Sequence, residues 1–263
     1  LLVALALSFL GLTGMAEGTT FNVSDQNGFQ TALTMAASNG EDDIINVNDN
    51  ITITATLIYS TDDGDGGNTL TINGNGHTLT GNSVQIMNIN TDTGNNAGDP
   101  NGDVAIDNLT FQNGNSIDGY GGGLFIRTGA ANITLTNNTF SNNTANNFGG
   151  GAFVYTYSGT IDLTNNTFSS NIATTWTGGG VYVYTLSDTS TLTNNTFSNN
   201  TAGGSGGGAY VYKLSGTIDL TNNTFSNNTA GGSGGGAYVH LSDDNATANI
   251  YNNIIYGNTA NGV

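Results

Sequence analysis

The chain is written in short runs where apolar and polar residues alternate, broken by pairs of Asn and triplets of Gly. Residues 133–136 read Ile-Thr-Leu-Thr, and residues 152–155 read Ala-Phe-Val-Tyr. A period of two is that of a strand with one face buried. Asn137 with Asn138, and Asn142 with Asn143, fall between runs. Asn tolerates left-handed backbone, so each pair predicts a turn. Phe140 sits between the two turns and predicts a short strand of its own. A Gly-rich loop then leads into the third strand. Three short strands with turns between them make one coil of a solenoid.

The coil recurs. Gly triplets begin at Gly121, Gly149, Gly178, Gly206 and Gly234, 28 or 29 residues apart. Phe111, Phe140, Phe168, Phe197 and Phe225 keep the same interval, with Ile255 next in the slot. The Asn pairs at Asn137, Asn165, Asn194, Asn222 and Asn252 keep it too. Such a period means a repeat architecture. No apolar spacing of 3.6 residues appears, and Asn, Thr and Gly dominate, which excludes a helical repeat. Propeller blades run to ~40–50 residues, longer than this unit. The pattern predicts an all-β, single-stranded parallel β-helix with three short strands per coil. Coils would stack ~4.8 Å apart, each residue on its own copy. That geometry favours ladders of Asn and Phe, and the crossover preference of parallel strands predicts a right-handed path.

Before the array, Phe29, Ala32, Leu33, Ala36 and Ala37 fall at helical spacing. Ser24 or Asp25 is the expected N-cap and Gly40 the expected C-cap. A solenoid must cover its open apolar end, and this helix is the expected cap. Residues 44–47, 51–57 and 70–79 read as the first coils. The organisation is therefore 17–103 for the cap and irregular first coils, and 104–263 for regular repeats of about 28 residues. Residues 1–12 form an apolar run followed by Gly14-Met15-Ala16. This predicts the tail of a secretory signal peptide cut after Ala16, in residues 1–16. The competing reading is a membrane-anchoring helix, for which the run is short. With the leader removed, no transmembrane segment is expected in the mature chain, and the protein is placed outside the cell or on a bacterial surface.

Charge narrows the partners. Only Arg127 and Lys213 are basic, and the formal net charge is −17. Nucleic acid needs a basic footprint, so DNA and RNA are excluded as partners. Anionic lipid is disfavoured for the same reason. Hydrophobic residues make up 36% of the chain at fixed intervals, which argues for a core and against disorder. The absence of Cys removes disulfides and thiol chemistry. Nothing in the sequence sets the oligomeric state.

The segments FQTALTMAASNGEDDIINV, LTINGNGHTLTG and LTNNTFSNNTAGGSGGGAYVY resemble the pectin-lyase-like right-handed β-helix superfamily. More narrowly, they resemble bacterial surface proteins with polymorphic-outer-membrane-protein-type repeats. Phe140 with Asn143, Phe168 with Asn171, Phe197 with Asn200 and Phe225 with Asn228 match the Phe-x-x-Asn motif of those repeats. The Gly-Gly-Ala motif recurs at Ala152, Ala209 and Ala237, followed by Phe153, Tyr210 and Tyr238 where an aliphatic is usual. The resemblance implies an exported passenger or adhesin. It also implies an alternative, since enzymes of the superfamily are polysaccharide lyases or glycoside hydrolases.

Four sets of residues are candidates for chemistry. Asp162 and Asp219 share one slot in alternate coils, with Thr191 between them. Two rises put them ~9–10 Å apart, near the upper end of the ~6.5–9.5 Å of inverting glycosidases. With Arg127 as a base they form the candidate catalytic set; repeat inheritance explains the slot equally well. Residues 61–68 and 95–103 alternate carboxylates with Gly, so Asp63, Asp65, Asp99, Asn101 and Asp103 are candidate calcium ligands. Neither loop has the closing Glu of an EF-hand. After each Gly triplet, the second residues are Phe125, Phe153, Tyr182, Tyr210 and Tyr238, and the fourth are Arg127, Tyr155, Tyr184, Tyr212 and His240. Arg and His in that column point the face outward. An exposed aromatic face is suited to a polysaccharide or cell-surface glycan; ladder packing under the Gly loop is the competing reading. Last, Thr136, Thr164, Thr193 and Thr221 form a hydroxyl column that suggests ice binding, beside a column broken by Asp162 and Asp219.

Overall fold

The computed structural model describes residues 18–61, 67–92, 102–117 and 119–262. Apart from one helix, the regular structure is short parallel strands that wind into a solenoid. Sheet A holds nine strands, sheet B eight and sheet C seven. A fourth ladder holds six strands of two residues each, from Asn115–Ser116 to Thr259–Ala260. One coil shows the path. Ile133–Thr136 lies in sheet A, Thr139–Ser141 in sheet B, Thr144–Ala145 in the short ladder and Ala152–Thr156 in sheet C. The three main strands are those expected from the alternation. The short ladder is not, because two residues are too few to show a period.

Register is copy on copy. Ile133 pairs Ile161, Phe140 pairs Phe168 and Val154 pairs Val183. The inward Phe residues stack along the axis from Phe111 to Phe225, with centroids 4.7–4.9 Å apart and planes within 6° of parallel. Each such pair contributes about 0.5–1.5 kcal/mol beyond area burial.

The Asn pairs divide their labour. The first Asn of each pair takes the left-handed turn, as at Asn137 (φ 56°) and Asn165 (φ 58°). The second turns inward and is buried. Asn171 shows the pattern at the next corner. Its amide Nδ2 donates to the Phe140 carbonyl (2.9 Å) and to Asn200 Oδ1 (3.0 Å), and its backbone N–H donates to the same Oδ1 (3.0 Å). Its own Oδ1 accepts the matching bonds from Asn143. The Asn of Phe-x-x-Asn is thus a staple to the Phe carbonyl one coil back. The Gly triplets lie against this ladder. Gly149 has φ 66°, and a Cβ on Gly150 would stand 2.4 Å from the Gly179 carbonyl oxygen.

The helix Gln26–Ala36 buries Phe29, Ala32, Leu33 and Ala36 over the first coil. Asp25 is the N-cap, accepting from the Gly28 N–H at 2.8 Å. Gln30 latches the helix to the third strand, donating to the Ile58 carbonyl and accepting from its N–H. Gly40 is not the C-cap: Ala37 closes the helix by donating to the Leu33 carbonyl, and Gly40 (φ 74°) turns the chain afterwards. A strand, Thr20–Val23, precedes the helix and pairs with Asp43–Val47, an element the sequence pattern does not show.

The ladder predicts an asymmetry within one pair. Asn200→Ala leaves the Asn171 backbone and side-chain donors, and the Phe168 carbonyl, without their partner. Each buried orphan costs about 1–3 kcal/mol, so urea unfolding is expected to show a loss of at least about 2 kcal/mol. Asn199→Gly, at the exposed left-handed neighbour (φ 56°), is expected to leave stability within about 0.5 kcal/mol.

Candidate functional site

The strands of sheet C that follow the Gly triplets turn Leu124, Ile126 and their copies into the core. Alternation therefore turns the second and fourth residues outward. Phe125, Phe153, Tyr182, Tyr210 and Tyr238 form one column, with centroids 5.1–5.3 Å apart. Tyr155, Tyr184 and Tyr212 form a second, spaced 5.0 and 4.4 Å, which His240 ends edge-on at 5.1 Å. Both expected columns exist, and the fourth-place residues face outward. Their exposure differs from the expectation. Phe153 is buried, and the tyrosines are half-buried. Because the rings stack on one another, the columns present ring edges and phenol hydroxyls more than open ring faces.

A third column flanks them. Tyr120, Phe148 and Trp176 come from the loops before the Gly triplets and stack at 5.6 and 5.9 Å. Tyr120 packs edge-on against Phe153 (5.0 Å), and Phe148 lies tilted against Tyr182 (5.0 Å). Their 28-residue interval was available in the sequence, but the column ends after Trp176, where Gly204 and Gly232 take the place. Burial pushes the phenols of Tyr155, Tyr182 and Tyr210 up, and that of Tyr184 up to about 12, with Tyr212 reinforcing it. The hydroxyls are therefore donors at any ordinary pH. Tyr210 shares a 3.1 Å hydrogen bond with His240 Nδ1.

Both cations are engaged. Arg127 pairs with the buried Asp92 at 3.1 Å, and its guanidinium lies over the Tyr155 ring at 5.4 Å. Lys213 occupies the inward fifth place, in the column of Thr128, Thr156 and Thr185. Its ammonium donates to Thr185 Oγ1 (2.7 Å) and the Ser187 carbonyl (2.8 Å). The two lie three coils apart, one outward and one inward, and make no basic patch.

The candidate catalytic set is not assembled. Asp162 and Asp219 do share a slot with Thr191 between them, but on sheet A, whereas Arg127 is on sheet C. The carboxylates accept local bonds, Asp162 from Thr164 Oγ1 (2.6 Å) and Asp219 from Asn249 Nδ2 (2.8 Å). The Thr136, Thr164, Thr193 and Thr221 column is present beside them. Of the calcium candidates, Asp63, Asp65, Asp99 and Asn101 lie outside the described residues, as does the apolar N-terminus. Asp103 accepts from the Asn132 backbone and amide at 2.8 and 3.2 Å. Among the described residues no group of three His, Cys, Asp or Glu could hold a metal. No helix among them is long and apolar enough to cross a membrane.

The family described as right handed beta helix region matches residues 70–263. No curated protein matches the chain. Among solved structures, a PL6-family alginate lyase, AlyGC, is similar at 13% identity with a TM-score of 0.39. The likeness covers 92% of this chain and 40% of the lyase chain, so the chain spans well under half the length of that relative. At that identity and score, it carries no argument about activity.

Lys213 gives a pH test of the inward column. Burial lowers its ammonium to about 8, against a weaker opposing pull from Asp188. The unfolded chain, titrating near 10.4, then binds more protons above pH 8 than the folded one. Stability is expected to rise between about pH 8 and 9.5, before tyrosine ionisation in the unfolded chain reverses the trend. Lys213→Met is expected to abolish the rise in urea midpoint; an unchanged pH profile would show the amine to be solvated.

Proposed function

The chain belongs to the right-handed β-helix family, and from that premise we propose that it is a non-catalytic extracellular or cell-surface scaffold whose sheet C face binds carbohydrate. One observation carries this reading. The acid and base candidates are split between sheets A and C, while sheet C gathers three aromatic columns on one side of the solenoid. Edges and phenol hydroxyls in register supply apolar contact and hydrogen bonding without a reacting group. The Phe-x-x-Asn and Gly-Gly-Ala motifs support placing the protein with bacterial surface proteins of the polymorphic-outer-membrane-protein type, as an exported passenger or adhesin. The low density of basic residues fits a neutral partner better than nucleic acid or anionic lipid. A polysaccharide lyase or hydrolase is the competing reading, favoured by the shared slot of Asp162 and Asp219.

Replacing Tyr184 and Tyr212 together by Ala is expected to reduce retention on insoluble glycans or whole cells at least tenfold. Circular dichroism and melting temperature should hold to within a few degrees. Sugar-end and unsaturated-product assays on pectins, alginates and neutral glycans are expected to stay blank. Turnover that disappears in Asp162→Asn or Asp219→Asn would replace the scaffold with an enzyme.

A further inference from the structure

We propose that the N-terminal end of the aromatic face is a separate binding site for an uncharged pyranoside, made by Tyr120, Phe125, Arg127, Phe153 and Tyr155. This rests on reading sheet C as the carbohydrate-binding face. Along the ladder each ring is stacked by its copy on the next coil, so ring faces are consumed by the protein itself. The pattern breaks where the columns begin. In the coil before Phe125 and Arg127, the same slots hold Asn88 and Asn90. Here Tyr120 is tilted by 58° to Phe125 and by 61° to Phe153, instead of lying parallel to them. The five side chains enclose a concavity of about 340 Å³. That is at the small end of ligand pockets, and of the size of a sugar ring or two.

The chemistry of the wall selects the ligand. Aromatic rings set at angles accept the apolar face of a pyranose. The guanidinium beside them is a planar set of N–H donors, matched to the oxygens of neighbouring sugar hydroxyls. It is held in position from two sides, by Asp92 at 3.1 Å and by the Tyr155 ring at 5.4 Å. With its side chain 31% exposed, it still reaches the pocket. Its charge is answered by the buried Asp92 carboxylate, and the chain as a whole carries −17. A uronate or sulfated sugar would be repelled by that field, and a cation would meet the guanidinium. A neutral sugar meets neither penalty.

Titration calorimetry with cello-, xylo- and mannohexaose, and with oligogalacturonate and oligoalginate as charged probes, tests the site. At least one neutral hexaose is expected to bind, with the charged oligomers at least tenfold weaker. Tyr120→Ala removes an exposed ring, and is expected to weaken neutral binding at least tenfold with an unchanged melting temperature. Arg127→Met orphans Asp92 and could misfold, so Arg127→Met with Asp92→Asn is the companion variant, with the same expected loss. Neutral binding that survives both changes but fails in the Tyr184 and Tyr212 double variant would overturn this site and leave the face reading standing. Tighter binding of the charged oligomers would overturn the ligand class. No binding of any glycan would overturn the site and the face together.

Discussion

The whole molecule depends on one constraint: each coil must lie flat on the last at strand spacing, with nothing between them. Three groups of residues enforce it. The inward Asn staples bond backbone and side chain of one coil to side chain and carbonyl of its neighbours, so no buried amide is orphaned along the run from Asn143 to Asn228. The Gly triplets let backbone meet backbone where a Cβ would sit 2.4 Å from a carbonyl oxygen. The left-handed Asn residues turn the corners. An unpaired polar group in such a core costs more than any single contact returns, so the ladder tolerates few departures.

Copy-on-copy stacking has a second effect, on the outside. Whatever residue a repeat places outward becomes a column. On sheet C that residue is aromatic, and the columns stack as tightly as the inner Phe ladder. Stacking stabilises the face and also occupies it, since rings that face one another offer their edges to a partner. Open ring faces are therefore found where a column starts, which is where Tyr120 and Arg127 sit. The same rule put Asp162 and Asp219 in one slot by inheritance, and kept them a whole sheet away from Arg127.

The fold was legible because its signals are periodic. Alternation gave the strands, the 28-residue interval gave the coil, and the helical spacing from Phe29 gave the cap. Elements with no period were not legible. Thr144–Ala145 is too short to alternate, and Thr20–Val23 has no copy ahead of it. The helix end was misplaced because a left-handed Gly marks a turn whether or not it closes the helix. At the site, the direction of the two tyrosine columns followed from Arg127 and His240, but their burial did not. That depends on ring stacking and on the loop column of Tyr120, Phe148 and Trp176, which contact the sheet from elsewhere in the coil. The inward place of Lys213 follows from alternation, though its charge argues against it at first sight.

The most direct test of the central claim is an atomic structure of the protein soaked with a neutral oligosaccharide. The account predicts an intact sugar chain along sheet C, with one end in the pocket of Tyr120 and Arg127. A sugar lying over Asp162 and Asp219 on sheet A, or one found cleaved, would contradict it.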